Sequence, residues 1–274
     1  MLIITLMQYF KSFDGEKIAY KINHQPSNSK NSIVIVHGLG GDIALLENFI
    51  QELIEEKDDL EIISLALRGH SFSSKIFPKS DHYLEEVHAK DLRELLIYLN
   101  LKSPILIGHS LGGIIIQSYL NQDLLPKAKK IFFICASTQT LGIDIFRKFS
   151  YKILTKTPNH KEFHTKSKSF YDKFKNTWDI DFKRFIYDTS VIGGLFIWFL
   201  HFFSIHGWRN KDLKKLDEKH YYYILGKNDI IIPKIKQLYR LRNLNRINKI
   251  EINSGHIIPI TNHKILAKNI IKHI

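Results

Sequence analysis

The chain has 274 residues, 44% of them hydrophobic and 24% charged, with 14 Gly and 7 Pro; this supports a sizeable core and excludes a disordered, collagen-like or low-complexity protein. A single cysteine, Cys135, excludes an internal disulfide and a thiolate metal cage, and with them a disulfide-stapled secreted domain. The formal charge of +13 is mostly lysine: only eight of the 40 basic residues are arginine, and without Arg–aromatic stripes the charge reads as compositional bias rather than a nucleic-acid surface.

In chain order, residues 1–7 are apolar but too short for a signal sequence, and they lack a basic flank, so a cytoplasmic protein is expected. Residues 8–13 and 17–22 flank Asp14-Gly15, a hairpin turn signal, and predict an antiparallel start to a sheet. Continuous Ile/Val/Leu-rich runs at 32–36, 104–107 and 130–135 read as strands buried on both faces, since they lack the alternation of half-exposed strands. A further strand is predicted at 61–66. It lies between helices at 44–55, with Leu45, Leu46, Phe49, Ile50 and Leu53 on one face, and 84–99, with Val87, Leu92, Leu95, Leu96 and Leu99 on one face. This alternation predicts an α/β fold: a mostly parallel central sheet with right-handed crossovers, flanked by helices.

Residues 137–220, rich in Lys, Phe, Tyr and His, break that rhythm and predict a mainly helical cap inserted into the fold. Beyond them, strands are expected at 221–225 and 247–252 and helices at 233–242 and 263–272, with Pro233 suited to a first helical turn. The expected division is a core of residues 1–136 and 215–274 with a cap of residues 137–214.

The sharpest chemical signal is Gly108-His109-Ser110-Leu111-Gly112, between the strand at 104–107 and a helical run at 111–120. There the pentapeptide has a mechanical meaning: its small residues permit a sharp turn that projects the Ser110 hydroxyl, with a helix N-terminus behind it. A serine hydroxyl is a weak nucleophile and needs a base and an orienting acid. Asp229, in Gly226-Lys227-Asn228-Asp229, and His256, in Ser254-Gly255-His256, each follow a predicted strand, so the sheet topology carries both to the edge that holds Ser110. Val36-His37-Gly38-Leu39-Gly40-Gly41 closes the first long strand. Its glycines let main-chain amides approach a ligand, and the N–H groups of Leu39 and Leu111 are the expected pair for an oxyanion. His37 and His109 are candidate pocket residues; His37, like His70, sits in a Gly-rich loop and is read chiefly as organising its backbone, and His109 as a packing neighbour of the nucleophile. No spacing of His and carboxylates suggests a metal site.

Together these motifs resemble the α/β-hydrolase fold superfamily, in particular serine hydrolases of the monoacylglycerol lipase and esterase type, over residues 9–136 and 220–274. The resemblance implies Ser110 as nucleophile, His256 as general base and then acid, Asp229 as the group that orients His256, and no cofactor. It implies an ester substrate with an apolar, lipid-derived acyl or alcohol group. Thioesterase, amidase, C–C hydrolase or perhydrolase chemistry on the same triad stays open, as does a non-catalytic ligand receptor. One departure stands out. The loop Ala66-Leu67-Arg68-Gly69-His70-Ser71-Phe72-Ser73 lacks the acid and second glycine of the family's Asp-x-Arg-Gly-His-Gly-x-Ser pattern, a departure that bears on the loop and not on the triad.

Residues 189–208 contain no Asp, Glu, Lys or Arg and are long enough to span a bilayer. Because a span there would separate Ser110 from Asp229 and His256, the segment is expected to be either a cap helix lining an acyl pocket, with Trp198, Phe199 and Phe202 as pocket residues, or an apolar lid touching a membrane surface.

Overall fold

The Ile/Val/Leu runs assemble one eight-stranded sheet in the computed structural model, which describes residues 7–70, 72–73, 84–140 and 207–274. The strands are β1 (Gln8–Lys11), β2 (Lys17–His24), β3 (Asn31–Val36), β4 (Leu60–Leu65), β5 (Ile105–His109), β6 (Lys130–Ile134), β7 (Tyr221–Gly226) and β8 (Asn248–Ile252). Their spatial order is β1-β2-β4-β3-β5-β6-β7-β8. β2 runs antiparallel to both β1 and β4, and every other pairing is parallel, as the hairpin signal and the strand–helix alternation predict.

The central strands lack polar alternation because each face has its own helical layer. Val34 and Val36 point into one core with Leu92, Leu95 and Leu96 of α2 (Glu85–Tyr98) and Ile115 of α3 (Leu111–Asn121). Ile33 and Ile35 point to the other, with Phe49 and Leu53 of α1 (Glu47–Glu56) and, near the C-terminus, Leu266 and Ile270. Successive side chains on a strand face opposite ways, so a strand covered on both sides must be apolar throughout. Among the described residues, the remaining α-helices are α4 (Lys234–Arg240), α5 (Ile258–Thr261) and α6 (His263–Ile271).

Several boundaries differ from expectation. The first helix is a 3₁₀ turn, Ala44–Leu46, leading into α1; Leu45 turns out of the core stripe while Leu46 stays buried. Pro233 caps α4 rather than lying in its first turn, its ψ of 125° being extended rather than helical. β6 stops at Ile134 because Cys135 adopts a left-handed conformation, φ 45°, although its N–H still donates to the Ile224 carbonyl at 2.9 Å. On α2, Glu85, His88 and Asp91 are buried and Val87 is only half-buried.

The Asp91 anomaly has a clear cause. The Arg68 side chain is 1% exposed and bridges Asp91, Nε–Oδ2 2.5 Å, and Asp14, Nη1–Oδ2 2.6 Å, while the Ser12 hydroxyl also donates to Asp91. A buried cation costs several kcal/mol unless it is paired, so burying Arg68 requires acids from both the β1–β2 turn and α2. The departing loop is fixed by its last serine instead: Ser73 Oγ accepts the Ala19 N–H and donates to the Ala66 carbonyl, both at 2.8 Å.

The described flanks of the expected cap belong to the core packing. Trp208 and Leu216 join the α2–α3 core, and the buried Asn210 donates from Nδ2 to Gln117 Oε1 at 2.9 Å. Thr138 is buried as well and donates its N–H to Gln237 of α4. Trp198, Phe199, Phe202 and most of the apolar 189–208 segment lie outside the described residues. Among the described residues, no helix is long and apolar enough to cross a membrane.

Candidate active site

Ser110 sits between β5 and α3 at φ 50° and ψ −112°, a backbone conformation that side-chain-bearing residues rarely adopt. The surroundings enforce it. The Ser110 N–H donates to the Ile134 carbonyl at 2.9 Å, and the Ser110 carbonyl receives the Gly113 and Ile114 N–H groups. A Cβ on Gly108 would lie 2.6 Å from Gly112 C, and one on Gly113 would lie 2.3 Å from Ala136 Cβ. The glycines therefore let the turn close tightly enough to lift the serine side chain off the sheet edge.

Three side chains converge there. His256, beyond β8, places Nε2 2.9 Å from Ser110 Oγ and Nδ1 2.8 Å from Asp229 Oδ2, beyond β7. Asp229 can only accept when ionised, so Nδ1 carries the proton and Nε2 is left to accept from the Ser110 hydroxyl. The other carboxylate oxygen, Asp229 Oδ1, accepts the N–H groups of Ile231 and Ile232 at 2.9 and 2.8 Å. Burial pushes the Asp229 carboxyl up; the hydrogen bond and charge of His256, with the Ile232 amide, outweigh it and hold the pKa below the ordinary carboxylate value. The acid thus stays ionised while it orients the imidazole.

The loop after β3 forms the facing wall. Gly38 sits so close that a Cβ there would lie 3.2 Å from Ser110 Cβ and 2.9 Å from His109 Nδ1. Among the described residues, neither the Leu39 nor the Leu111 N–H donates to a main-chain carbonyl, the usual state of amides at a helix start or open turn. A cavity of about 50 Å³ lies in front of Ser110. His37, His109 and His256 line its polar side, and Leu39, Leu45, Leu46, Ile257, Pro259 and Ile260 its apolar side. Leu45, placed on a core stripe by its spacing, instead faces this cavity.

The two loop histidines hold backbone. His37 Nδ1–H donates to the Gly38 carbonyl at 2.8 Å and its Nε2 accepts the Leu67 N–H at 3.1 Å. His70 works the same way, donating to the Arg68 carbonyl and accepting the Gly40 N–H at 3.2 Å. Burial lowers the His37 pKa to about 4, so the ring stays neutral and keeps its acceptor nitrogen. His109 donates from Nε2 to the His256 carbonyl at 3.0 Å; burial and the neighbouring His256 lower its pKa to about 3.

Cys135 is the residue whose neighbourhood the sequence did not disclose. Expected to close a buried strand, it lies one residue past the end of β6, and its Sγ comes within 4.8 Å of ligand atoms of both Asp229 and His256. Strand-end position alone puts no residue beside a triad; the β6–β7 pairing does that, by bringing the end of β6 beside the loop that carries Asp229. The trio has the residue types of a metal site, yet the Asp229 oxygens are already held by His256 and two amides. Burial pushes the Cys135 thiol up, far from the thiolate that a metal would need.

The comparisons with known proteins agree with this architecture. A family model described as alpha/beta hydrolase fold matches residues 31–263. A Mycoplasma pneumoniae protein named "Putative esterase/lipase 2" is 22% identical over 218 residues, covering 76% of this chain and 75% of that protein. A Haemophilus influenzae protein named "Putative esterase/lipase" is 36% identical over 92 residues, covering 33% of this chain. The matched stretches amount to 30% of the length of that protein and of the similar Mycobacterium tuberculosis protein. Among solved structures, an esterase from Exiguobacterium antarcticum superposes with a TM-score of 0.74 at 18% identity, covering 98% of this chain and 99% of that one. At that identity the likeness is one of fold.

Proposed function

Because the chain belongs to the α/β-hydrolase fold family, we propose that it is a serine hydrolase cleaving a carboxylic ester with an apolar acyl or alcohol group. The observation that carries this reading is the continuous relay Asp229–His256–Ser110, with contacts of 2.8 and 2.9 Å and the imidazole acceptor nitrogen turned to the serine. Relatives named esterase or lipase support the ester bond as the target.

In the proposed reaction, His256 Nε2 takes the Ser110 hydroxyl proton as Oγ attacks the substrate carbonyl carbon. The amides of Leu39 and Leu111 receive the oxyanion. His256 passes its proton to the leaving alcohol, leaving an acyl group on Ser110. Water, deprotonated by the same nitrogen, then attacks the acyl carbon and releases the acid. No step calls for a cofactor. The apolar side of the cavity suits a hydrocarbon group, and its small volume encloses only the reacting end of a substrate, against about 300–1,000 Å³ for typical ligand sites. Trp198, Phe199 and Phe202 are proposed to extend it from the cap.

A fluorophosphonate probe followed by peptide mapping tests the nucleophile: labelling is expected on Ser110, and a Ser110→Ala protein should neither label nor hydrolyse p-nitrophenyl esters. An unlabelled, inactive wild-type protein would point to a receptor that retains the triad as a pocket. A chain-length series of oxygen esters, thioesters and amides then assigns the bond.

A further inference from the structure

Immediately after Asp229 the chain turns an apolar and basic face to solvent. Ile230 is 89% exposed, Ile231 67%, Ile235 79% and Tyr239 65%. Ile235 and Tyr239 are four residues apart on α4 and share one face, and Ile231 precedes Ile235 by the same interval on the approach to the helix. A lone exposed isoleucine needs no explanation, but four large apolar side chains within ten residues form a patch that water disfavours.

Charge narrows what covers it. Residues 227–242 carry Lys227, Lys234, Lys236, Arg240 and Arg242 against one acid, Asp229, which is buried and turned to His256. Lys234 is paired with Glu251 at 2.9 Å and Arg242 lies over the Tyr239 ring at 3.8 Å, whereas Lys227 and Lys236 are exposed. A second copy of the chain brings another +13, and the chain's own residues 141–206 carry eleven Lys and Arg against six Asp and Glu. Both would set positive charge against positive charge. An anionic surface that also has an apolar layer beneath it matches both halves of the patch.

We infer that Ile230, Ile231, Ile235 and Tyr239, with Lys227 and Lys236, form a docking surface for an anionic lipid bilayer. The apolar side chains enter the acyl boundary while the lysine heads remain at the headgroup phosphates. This contact lies on the β7–α4 connection and does not require the cap. What docking does for turnover rests on the ester-hydrolase reading, since it sets the Asp229 turn beside a surface rich in lipid-derived esters; the docking itself does not.

The test is co-sedimentation with phosphatidylcholine vesicles, with and without phosphatidylglycerol, at low and high salt. Hydrolysis of p-nitrophenyl acetate is followed in parallel. Wild-type protein should pellet with the phosphatidylglycerol vesicles and be partly released by salt. The triple variant Ile230→Ser, Ile235→Ser, Tyr239→Ser should lose about tenfold or more in partitioning. Lys227→Glu with Lys236→Glu should lose the preference for anionic vesicles, and both variants should keep wild-type turnover of the soluble ester. Ser110→Ala should bind vesicles as wild type does, and wild-type protein that docks but hydrolyses no ester overturns the catalytic reading and leaves this one standing. Wild-type protein that stays in the supernatant, or a triple variant that partitions unchanged, overturns the docking surface. If wild type stays in the supernatant and the triple variant also shifts its sedimentation coefficient or its melting temperature, the patch belongs to a second copy or to the chain's own packing, and the lipid assignment falls.

Discussion

His109 donates from Nε2 to the main-chain carbonyl of His256 at 3.0 Å, so the residue before Ser110 holds the loop that carries the imidazole. The two rings lie 5.3 Å apart, and His109 stays neutral because burial and the neighbouring His256 depress its pKa to about 3. His109→Leu fills similar space but removes the donor, and should lower kcat about 10–100-fold with KM little changed, because the defect is one of alignment. His109→Gln, which can still donate to the carbonyl, should recover much of the loss. Equal kinetics for the two variants would remove the hydrogen bond from the explanation.

Backbone packing sets a second requirement. A Cβ on Gly112 would lie 2.1 Å from the Val36 carbonyl oxygen and 2.8 Å from that of His37, and neither atom belongs to a movable side chain. Gly112→Ala should therefore push α3 away from the end of β3, separate the Leu39 and Leu111 amides, and destabilise the fold by about 1–3 kcal/mol or more. Gly255, next to His256, has open space around its Cβ position, and Gly255→Ala should be tolerated. Chemical denaturation of both variants, with kcat measured alongside, checks the contrast.

Much of this arrangement was legible in the sequence because it rests on local rules. Fully apolar runs marked β3, β5 and β6, and Asp14-Gly15 marked the hairpin of β1 and β2. The expected strand ends at Leu225 and Ile252 placed Asp229 and His256 on one edge with Ser110. What escaped depends on contacts distant in sequence. Val87 looked like a core residue of α2, but buried Arg68 draws Asp91 inward and rotates the buried face toward Glu85 and His88. Cys135 closes an apolar run in the sequence, and only the β6–β7 pairing puts its sulfur near Asp229. The insertion of β4 between β2 and β3 likewise leaves no periodic trace in any one strand.

The buried His37 makes stability depend on pH with a definite sign. Its folded pKa of about 4 lies below the unfolded value of 6.5, so between those values the unfolded chain binds more protons and stability rises with pH. The contribution is complete above pH 6.5 and is lost as pH falls toward 4, by about 3 kcal/mol in all. Its structural basis is burial, which penalises the charged ring, and protonation would also remove the Nε2 acceptor for the Leu67 N–H. Urea denaturation from pH 7 to pH 4.5 should show this decline, and His37→Asn, though less stable at pH 7, should show a flatter profile over the same range.

Asp229→Asn tests the relay at its least exposed member. The Ile231 and Ile232 N–H groups both point at Oδ1, at 2.9 and 2.8 Å, so the substituted amide must turn its oxygen toward them and its NH₂ toward His256. That NH₂ can only donate, which forces Nδ1 to become an acceptor and moves the imidazole proton to Nε2. The ring would then present N–H rather than a lone pair to the Ser110 hydroxyl, and the base would be lost without any change in shape. Turnover should fall about 10⁴-fold, the scale seen when the same exchange is made in a Ser-His-Asp triad, with thermal stability largely retained. Nitrogen chemical shifts of His256 would report the tautomer directly. A wild-type tautomer in an inactive variant, or near-normal turnover, would move the orienting role away from Asp229.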